Sequence, residues 1–327
     1  MRTMNALEKK TLPVRPRIIF FGTPAFAVPA MEALLRQGHE IRAVVTQPDR
    51  PKGRGRKLTA SPVKQQARLA GLEVLQPEKA SDPSFHDLLR SFEPDLFVVI
   101  AFGQVLKKGL LEVPTWGALN VHASLLPRYR GAAPIHWAVL NNEPMTGLTA
   151  MRMDEGLDTG PILYQEEVRI VENETAGELH DRLAEMAGKF VIRSLETLIR
   201  GRLDEKPQDH RLASYAPKID RGMARVDWRL PAMKIAALIR ALDPWPGATT
   251  TLSGKQIKLF AARVVHGDAV TRNPGRVARK TESTFQVETG KGLVEIGALQ
   301  VPGKRRLPAR DFLKGFPLEE GTLLGET

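Results

Sequence analysis

The stretch RIIFFGTPAFAVPAMEALLRQGHEIRAVV, residues 17 to 45, decides the fold. Arg17 to Phe21 begin it with an apolar run, and Gly22, Thr23 and Pro24 break that run. From Phe26 to Gln37 apolar residues return at helical spacing, and Gly38 stops the helix. Ile41 to Thr46 makes a second apolar strand. Strand, helix, strand is a crossover unit, whose right-handed connection lays the two strands parallel. Strands covered on both faces read as continuous apolar runs. Leu96 to Ala101 (LFVVIA) has that character, Glu73 to Leu75 is a shorter strand, and Ala118 to His122 is the fifth. The expectation is an α/β domain with a parallel sheet, whose ligands lie beyond the carboxyl ends of the strands.

Thr146 to Arg152 and Ile162 to Arg169 read as further strands, and Thr175 to Arg200 as a long closing helix. Gly201 to Asp220 is polar, contains two prolines and holds no sustained period, which predicts a linker. Beyond it come one helical segment, Pro231 to Leu242, and five short alternating runs near Thr249 to Leu252, Ile257 to Val265, Gly275 to Ala278, Phe285 to Thr289 and Leu293 to Leu299. Short strands with turns between them predict a small barrel. The expected division is a disordered extension over 1–16, the α/β domain over 17–201, the linker over 202–220 and the barrel over 221–327.

Composition narrows the function. None of the 327 residues is cysteine, so disulfides and thiol chemistry are excluded and a cytoplasmic location is expected. No apolar stretch approaches the roughly 20 residues that span a bilayer, and the first sixteen residues lack the apolar core of a secretory signal. The seven histidines fall in no metal-ligand spacing and HExxH is absent, so no metal is expected. A net charge of +11 points to a polyanionic partner. The excess is clustered. Residues 48 to 64, PDRPKGRGRKLTASPVK, hold six Lys/Arg against one Asp, and Thr271 to Arg310 hold nine against three Glu. The first cluster is glycine-rich, follows the second strand and is expected to be mobile.

GTPAF after the first strand is neither GxGxxG nor a Walker motif and reads as a tight turn. In LNVHA, Asn120 and His122 are two apart on a strand and so share a face. An amide and an imidazole there can hold the oxyanion of a tetrahedral intermediate, with a carboxylate such as Asp158 orienting the ring, which is acyl-transfer chemistry. The same spacing also suits a pair that only satisfies buried backbone groups. A hydrolase built from Ser124, His122 and Asp158 has less support, since Ser124 lacks the GxSxG elbow.

NVHASLLPRYRGAAPIHWAV at residues 120–139 and MRMDEGLDTGPIL at 151–163 resemble the 10-formyltetrahydrofolate-dependent formyltransferase family. The segments IIFFGTPAFAVPAMEALL, TQPDRPKGRGRKLTASPVK, SYAPKI, RVDW and DPWPGA extend the resemblance to the branch acting on initiator methionyl-tRNA, over residue 17 to the end. The resemblance implies a Rossmann-like catalytic domain and an OB-like, tRNA-binding barrel. It implies Asn120, His122 and Asp158 as the catalytic trio, and folate contacts from Ser124, Leu125, Leu126 and Pro127 and from the segment holding Phe102 and Leu106. It further implies RNA contacts from Arg50, Lys52, Arg54, Arg56 and Lys57. Formyl transfer to methionine on initiator tRNA by a monomer is the expected activity. The alternative is a related formyltransferase acting on a nucleotide or an amino sugar.

Overall fold

The computed structural model describes residues 12–52, 57–201, 205–265, 270–316 and 318–325. In chain order come β1 (Arg17–Gly22), α1 (Val28–Arg36), β2 (Glu40–Val45), β3 (Arg50–Lys52), β4 (Lys57–Thr59), α2 (Pro62–Leu69), β5 (Val74–Leu75) and α3 (Pro83–Arg90). β6 (Leu96–Ile100), α4 (Lys108–Leu111), β7 (Ala118–His122), α5 (Pro134–Leu140), β8 (Met145–Arg152), β9 (Ile162–Arg169) and α6 (Ala176–Ile199) follow. Seven strands form one sheet in the order β5-β2-β1-β6-β7-β8-β9. The pairs β5–β2, β2–β1, β1–β6 and β6–β7 are parallel, and β8 runs antiparallel to β7. Every residue of β6 is buried, as its continuous apolar run requires, and so is every residue of β7, Asn120 and His122 included.

The chain winds from β1 outward to β2 and β5, then returns to the other side of β1 with β6 and β7. The order therefore reverses between β1 and β6, the place where sheets of this class leave a crevice. Gly22 ends β1 there, paired with Ile100. A Cβ on Gly22 would stand 2.8 Å from both the Ala27 Cβ and the Phe20 ring, so close approach explains this glycine.

The helices begin where their sequences set caps. Ser61 and Asp82 each accept a backbone N–H from the first turn of α2 and α3, with Pro62 and Pro83 next in line. Thr175 and Glu178 bond reciprocally ahead of α6, a capping box. The basic loop 47–60, expected to be mobile, contains a two-stranded antiparallel pair with Arg50 opposite Thr59 and Lys52 opposite Lys57.

The chain folds as two compact units that are interleaved in sequence. The first takes the chain up to Gly131 together with Gly147–Val168 and Asp181–Tyr215; the second takes Ala132–Thr146, Arg169–His180 and the chain from Ala216 onward. The residues expected as a linker thus divide between the two, and Gln208, Ala216 and Ile219 are buried. Of the expected N-terminal extension, residues 1–11 lie outside the described residues and Leu12 is buried.

The second unit continues with α7 (Ala232–Ala241), β10 (Ala248–Leu252), β11 (Lys255–Val265), β12 (Val277–Lys280), β13 (Phe285–Glu288), β14 (Leu293–Gln300), β15 (Leu307–Pro308) and α8 (Ala309–Gly315). Its strands form an antiparallel sheet in the order β10-β11-β14-β13-β12, with β15 on β14. One face buries Leu259, Phe285, Ile296 and Leu299 in a core with Ile235 and Ile239 of α7 and Ala133 just ahead of α5. Among the described residues, no helix is long and apolar enough to cross a membrane.

Candidate active site

β7 delivers Asn120 and His122 at the carboxyl end of the sheet, in register with Met151 and Thr149 of β8. Both side chains are buried, and they differ in what holds them. His122 Nε2 stands 2.9 Å from the Tyr129 carbonyl. A carbonyl oxygen only accepts, so Nε2 carries the ring hydrogen in the neutral imidazole and Nδ1 is left with its lone pair. Nδ1 faces the Asp158 carboxylate, with Oδ2 3.7 Å away. That is too long for a hydrogen bond and short enough to close into one on protonation. The Asn120 carboxamide has no hydrogen-bond partner among the described residues, although the residue is only 7% exposed. Among the described residues, the fully enclosed side-chain atoms without a partner are Thr146 Oγ1 and Arg240 Nε, so the Asn120 amide keeps a small opening to solvent. The unfilled position lies beside His122 on the same strand face.

Asp158 reaches the pair from the turn after β8. Its backbone is left-handed, φ 53°, and its Oδ2 accepts the Gly131 N–H at 2.8 Å. The turn is tight throughout. Asp154 Oδ1 accepts from Gly156 N and Thr159 Oγ1, and a Cβ on Gly160 would lie 1.9 Å from the Arg152 carbonyl.

The Ser124–Pro127 turn follows His122 directly. Ser124 is fully buried and its hydroxyl donates to the Arg128 carbonyl at 2.6 Å. The hydroxyl is thereby committed to the turn, and no nucleophile faces His122 from it. Thr149 Oγ1 donates to the Ser124 carbonyl and accepts from Leu126 N, while Gln165 Nε2 donates to Leu126 O. The side chains of Phe102 and Leu106 point into the first unit's core, with Phe102 edge-on to Phe21 at 5.2 Å. On that segment Ala101, Gly103 and Val105 are the exposed positions.

Arg50 is exposed on β3, and Lys52 and Lys57 are paired across the β3–β4 hairpin. Arg54 and Arg56 lie outside the described residues. The hairpin's base is anchored by a buried charge. Lys64 Nζ donates to Asp49 Oδ2 at 2.6 Å and to Gln76 Oε1 at 2.5 Å, and Gln76 Nε2 returns to Asp49 Oδ1 at 2.9 Å. These bonds hold the Asp49 carboxyl below the usual carboxylate range, the Lys64 bond contributing most.

Among the described residues, no group of three or more His, Asp or Glu side chains could hold a metal ion. Three further residues lie around Asp158: Gln208, Arg130 and Gly131. Gln208 sits in a polar stretch that reads as linker, and Arg130 and Gly131 lie within the motif at residues 120–139 without being singled out there. Gln208 and Arg130 are buried, Arg130 to 2% exposure.

Residues 16–195 match the formyl transferase family and residues 218–317 its C-terminal domain. Methionyl-tRNA formyltransferase of Pelotomaculum thermopropionicum is 46% identical over 310 residues, covering 95% of this chain and 99% of that protein. The chain is a member of the methionyl-tRNA formyltransferase family. The enzyme of the same name from Syntrophus aciditrophicus is 47% identical over 308 residues, covering 94% and 98%. Solved structures share the family's fold at lower identity. HypX from Aquifex aeolicus in complex with tetrahydrofolic acid has a TM-score of 0.61 at 20% identity, covering 96% of this chain and 51% of that one. WlaRD, a sugar 3N-formyl transferase, has a TM-score of 0.65 at 20% identity, covering 89% and 99%.

Proposed function

We propose that the chain transfers the formyl group of 10-formyltetrahydrofolate to the α-amino group of the methionine carried by initiator tRNA. The relatives that match nearly the whole chain are named for that reaction. The observation that carries the chemistry is the unpartnered Asn120 carboxamide next to the facing pair of His122 Nδ1 and Asp158 Oδ2. An amide donor with no protein partner is available to the oxygen that becomes negative as an amine attacks a formyl carbon.

The residues divide the work. Asn120 donates to the developing oxyanion. His122 Nδ1 is the ring atom open to a proton, since Nε2 is committed to the Tyr129 carbonyl. Asp158 holds that ring nitrogen in place and stabilises it once protonated, and the pair relays the proton from the attacking amine toward the folate nitrogen that departs. The folate supplies the formyl group, and direct transfer needs no covalent enzyme intermediate.

The donor's pterin ring is assigned to the turn Ser124, Leu125, Leu126 and Pro127 and to residues 101–106. Ala101, Gly103 and Val105 face outward there, while Phe102 and Leu106 support the segment from the core. The tRNA acceptor arm meets the basic hairpin through Arg50, Lys52, Arg54, Arg56 and Lys57, and the second, OB-like unit supplies further basic surface from the +6 stretch between Thr271 and Arg310. A chain without cysteine suits the reducing cytoplasm.

The test is formylation of methionyl initiator tRNA by purified protein. Asn120→Ala is expected to lower kcat by roughly 10² to 10³, the cost of one oxyanion donor. A folded Asn120→Ala protein with near-normal turnover would sink the assignment.

A further inference from the structure

Gln208 lies fifty residues beyond Asp158 in a stretch that looks like tether, yet it is buried and fully bonded. Its Nε2 donates to the Asp158 carbonyl at 2.9 Å and to the Gly160 carbonyl at 2.7 Å. Its Oε1 accepts from Arg130 Nε at 3.1 Å and Nη2 at 2.6 Å. Arg130 is itself among the largest fully buried side chains. Its Nη1 donates to His210 Nδ1 at 3.2 Å and its backbone N–H to the Ser214 carbonyl at 2.8 Å. The next residue, Gly131, gives the N–H that grips the Asp158 carboxylate at 2.8 Å.

These bonds close a ring. It runs from the Asp158 carbonyl to the Gln208 carboxamide, through the Arg130 guanidinium and backbone to Gly131 N, and back to Asp158 Oδ2. Asp158 is thus held at both its backbone and its carboxylate, and one side chain, Gln208, touches both sides of the clamp. No carboxylate balances the Arg130 guanidinium within this ring; the neutral oxygen of Gln208 receives two of its N–H groups. A buried arginine is costly unless hydrogen-bonded in this way. The arrangement also keeps a second negative charge away from Asp158, whose own charge serves His122.

We propose that Gln208 is a positioning residue for Asp158, fixing the carboxylate opposite His122 Nδ1, and that the segment 205–215 belongs to the catalytic apparatus. The proposal rests on the reading that Asp158 serves formyl transfer. Asp158 has an uncommon left-handed backbone, φ 53°, which surrounding bonds must maintain. Without the Gln208 donors its two neighbouring carbonyls lose their partners and the turn can relax. A misplacement of about 1 Å costs on the order of 10²-fold in rate.

The experiment is a double-mutant cycle on the full chain, with kcat and both KM values read from formylation of methionyl initiator tRNA. Gln208→Leu is expected to lower kcat about 10- to 100-fold while both KM values stay within about twofold. In the Asp158→Ala background the same change is expected to have almost no further effect, because a residue acting through Asp158 has nothing left to position. Gln208→Glu keeps the acceptor for Arg130, loses the donors to the turn and brings a second negative charge near Asp158. It tests the idea if the leucine variant does not fold, and it is expected to lose kcat as well. Parent-level kcat in a folded Gln208→Leu or Gln208→Glu protein overturns the proposal. Equal fractional losses with and without Asp158 overturn it too. If Asp158→Ala alone keeps parent kcat, the failure belongs to the catalytic trio, and the positioning role falls with it.

Discussion

Asn120 and Ser124 are four residues apart, both polar and both buried, and the structure gives them opposite fates. Ser124 spends its hydroxyl on the Arg128 carbonyl, whereas Asn120 keeps its carboxamide unspent. A serine so committed cannot be the nucleophile of a hydrolase. Ser124→Ala is therefore expected to cost about 1–2 kcal/mol of stability, from one lost hydrogen bond and an orphaned carbonyl, with kcat within about tenfold of the parent because the turn loosens without losing a reacting group. Thermal unfolding and the formylation assay together check this. Parent stability combined with a collapse of kcat would place Ser124 in the chemistry after all. The two fates were not legible in the sequence. Spacing put Asn120 and His122 on one face, but whether a buried amide finds a partner depends on residues brought near it by the fold.

At the scale of elements, the strands around the site were the legible part, since β6 is apolar without interruption, β1 is an apolar run after Arg17, and β7 departs from the pattern only at Asn120 and His122. The β3–β4 hairpin was not. Its residues are Arg, Pro, Lys, Gly, Leu and Thr, and the pairing is anchored by Asp49, Lys64 and Gln76, spread over twenty-eight positions. The polar residues between apolar strands also hide an ion pair at the amino end of the central strands β1 and β6. Arg17, the first residue of β1, donates from Nε and Nη2 to Asp95 at 3.0 Å each, and its backbone N–H reaches the same carboxylate at 2.8 Å. Those bonds, chiefly the side-chain ones from Arg17, hold the Asp95 carboxyl below its ordinary value of 3.8. A carboxylate with a depressed folded pKa stabilises at every pH above the ordinary value and loses that contribution as pH falls through the folded one. Asp95→Asn is expected to lower stability at pH 7 by on the order of 1 kcal/mol. The gap should begin to narrow below about pH 4, where the unfolded parent takes up a proton that the folded carboxylate still resists, and kcat at pH 7 should not move. Denaturant titrations of both proteins across pH 3 to 7 decide it, and a gap that stays constant through the acid range rules the ion pair out as its source.

For the whole molecule, the sequence announced two units but not how the chain shares itself between them. Residues 132–146 and 169–180 fall with the second unit, and in the first of these Ala133 and Trp137 pack into the core that holds Ile235 and Ile239. Helical spacing reports that a face is apolar and is silent on which core receives it. Charge is different, because it acts at a distance and needs no knowledge of packing. The excess of +11 is gathered into the stretches 48–64 and 271–310, so binding of tRNA should release counterions while binding of folate releases few. Each phosphate neutralised contributes roughly 0.7 to 0.9 to the slope of log affinity against log salt. The KM for methionyl initiator tRNA is accordingly expected to rise steeply between 50 and 200 mM salt, by about 10³-fold if six phosphates are contacted, with the folate KM nearly flat. Arg50→Ala should lower the tRNA slope by about 1 and leave the folate KM alone. An unchanged slope would remove Arg50, and with it the exposed strand of the hairpin, from the RNA-binding surface, and would leave the second unit's basic stretch as the source of the salt dependence.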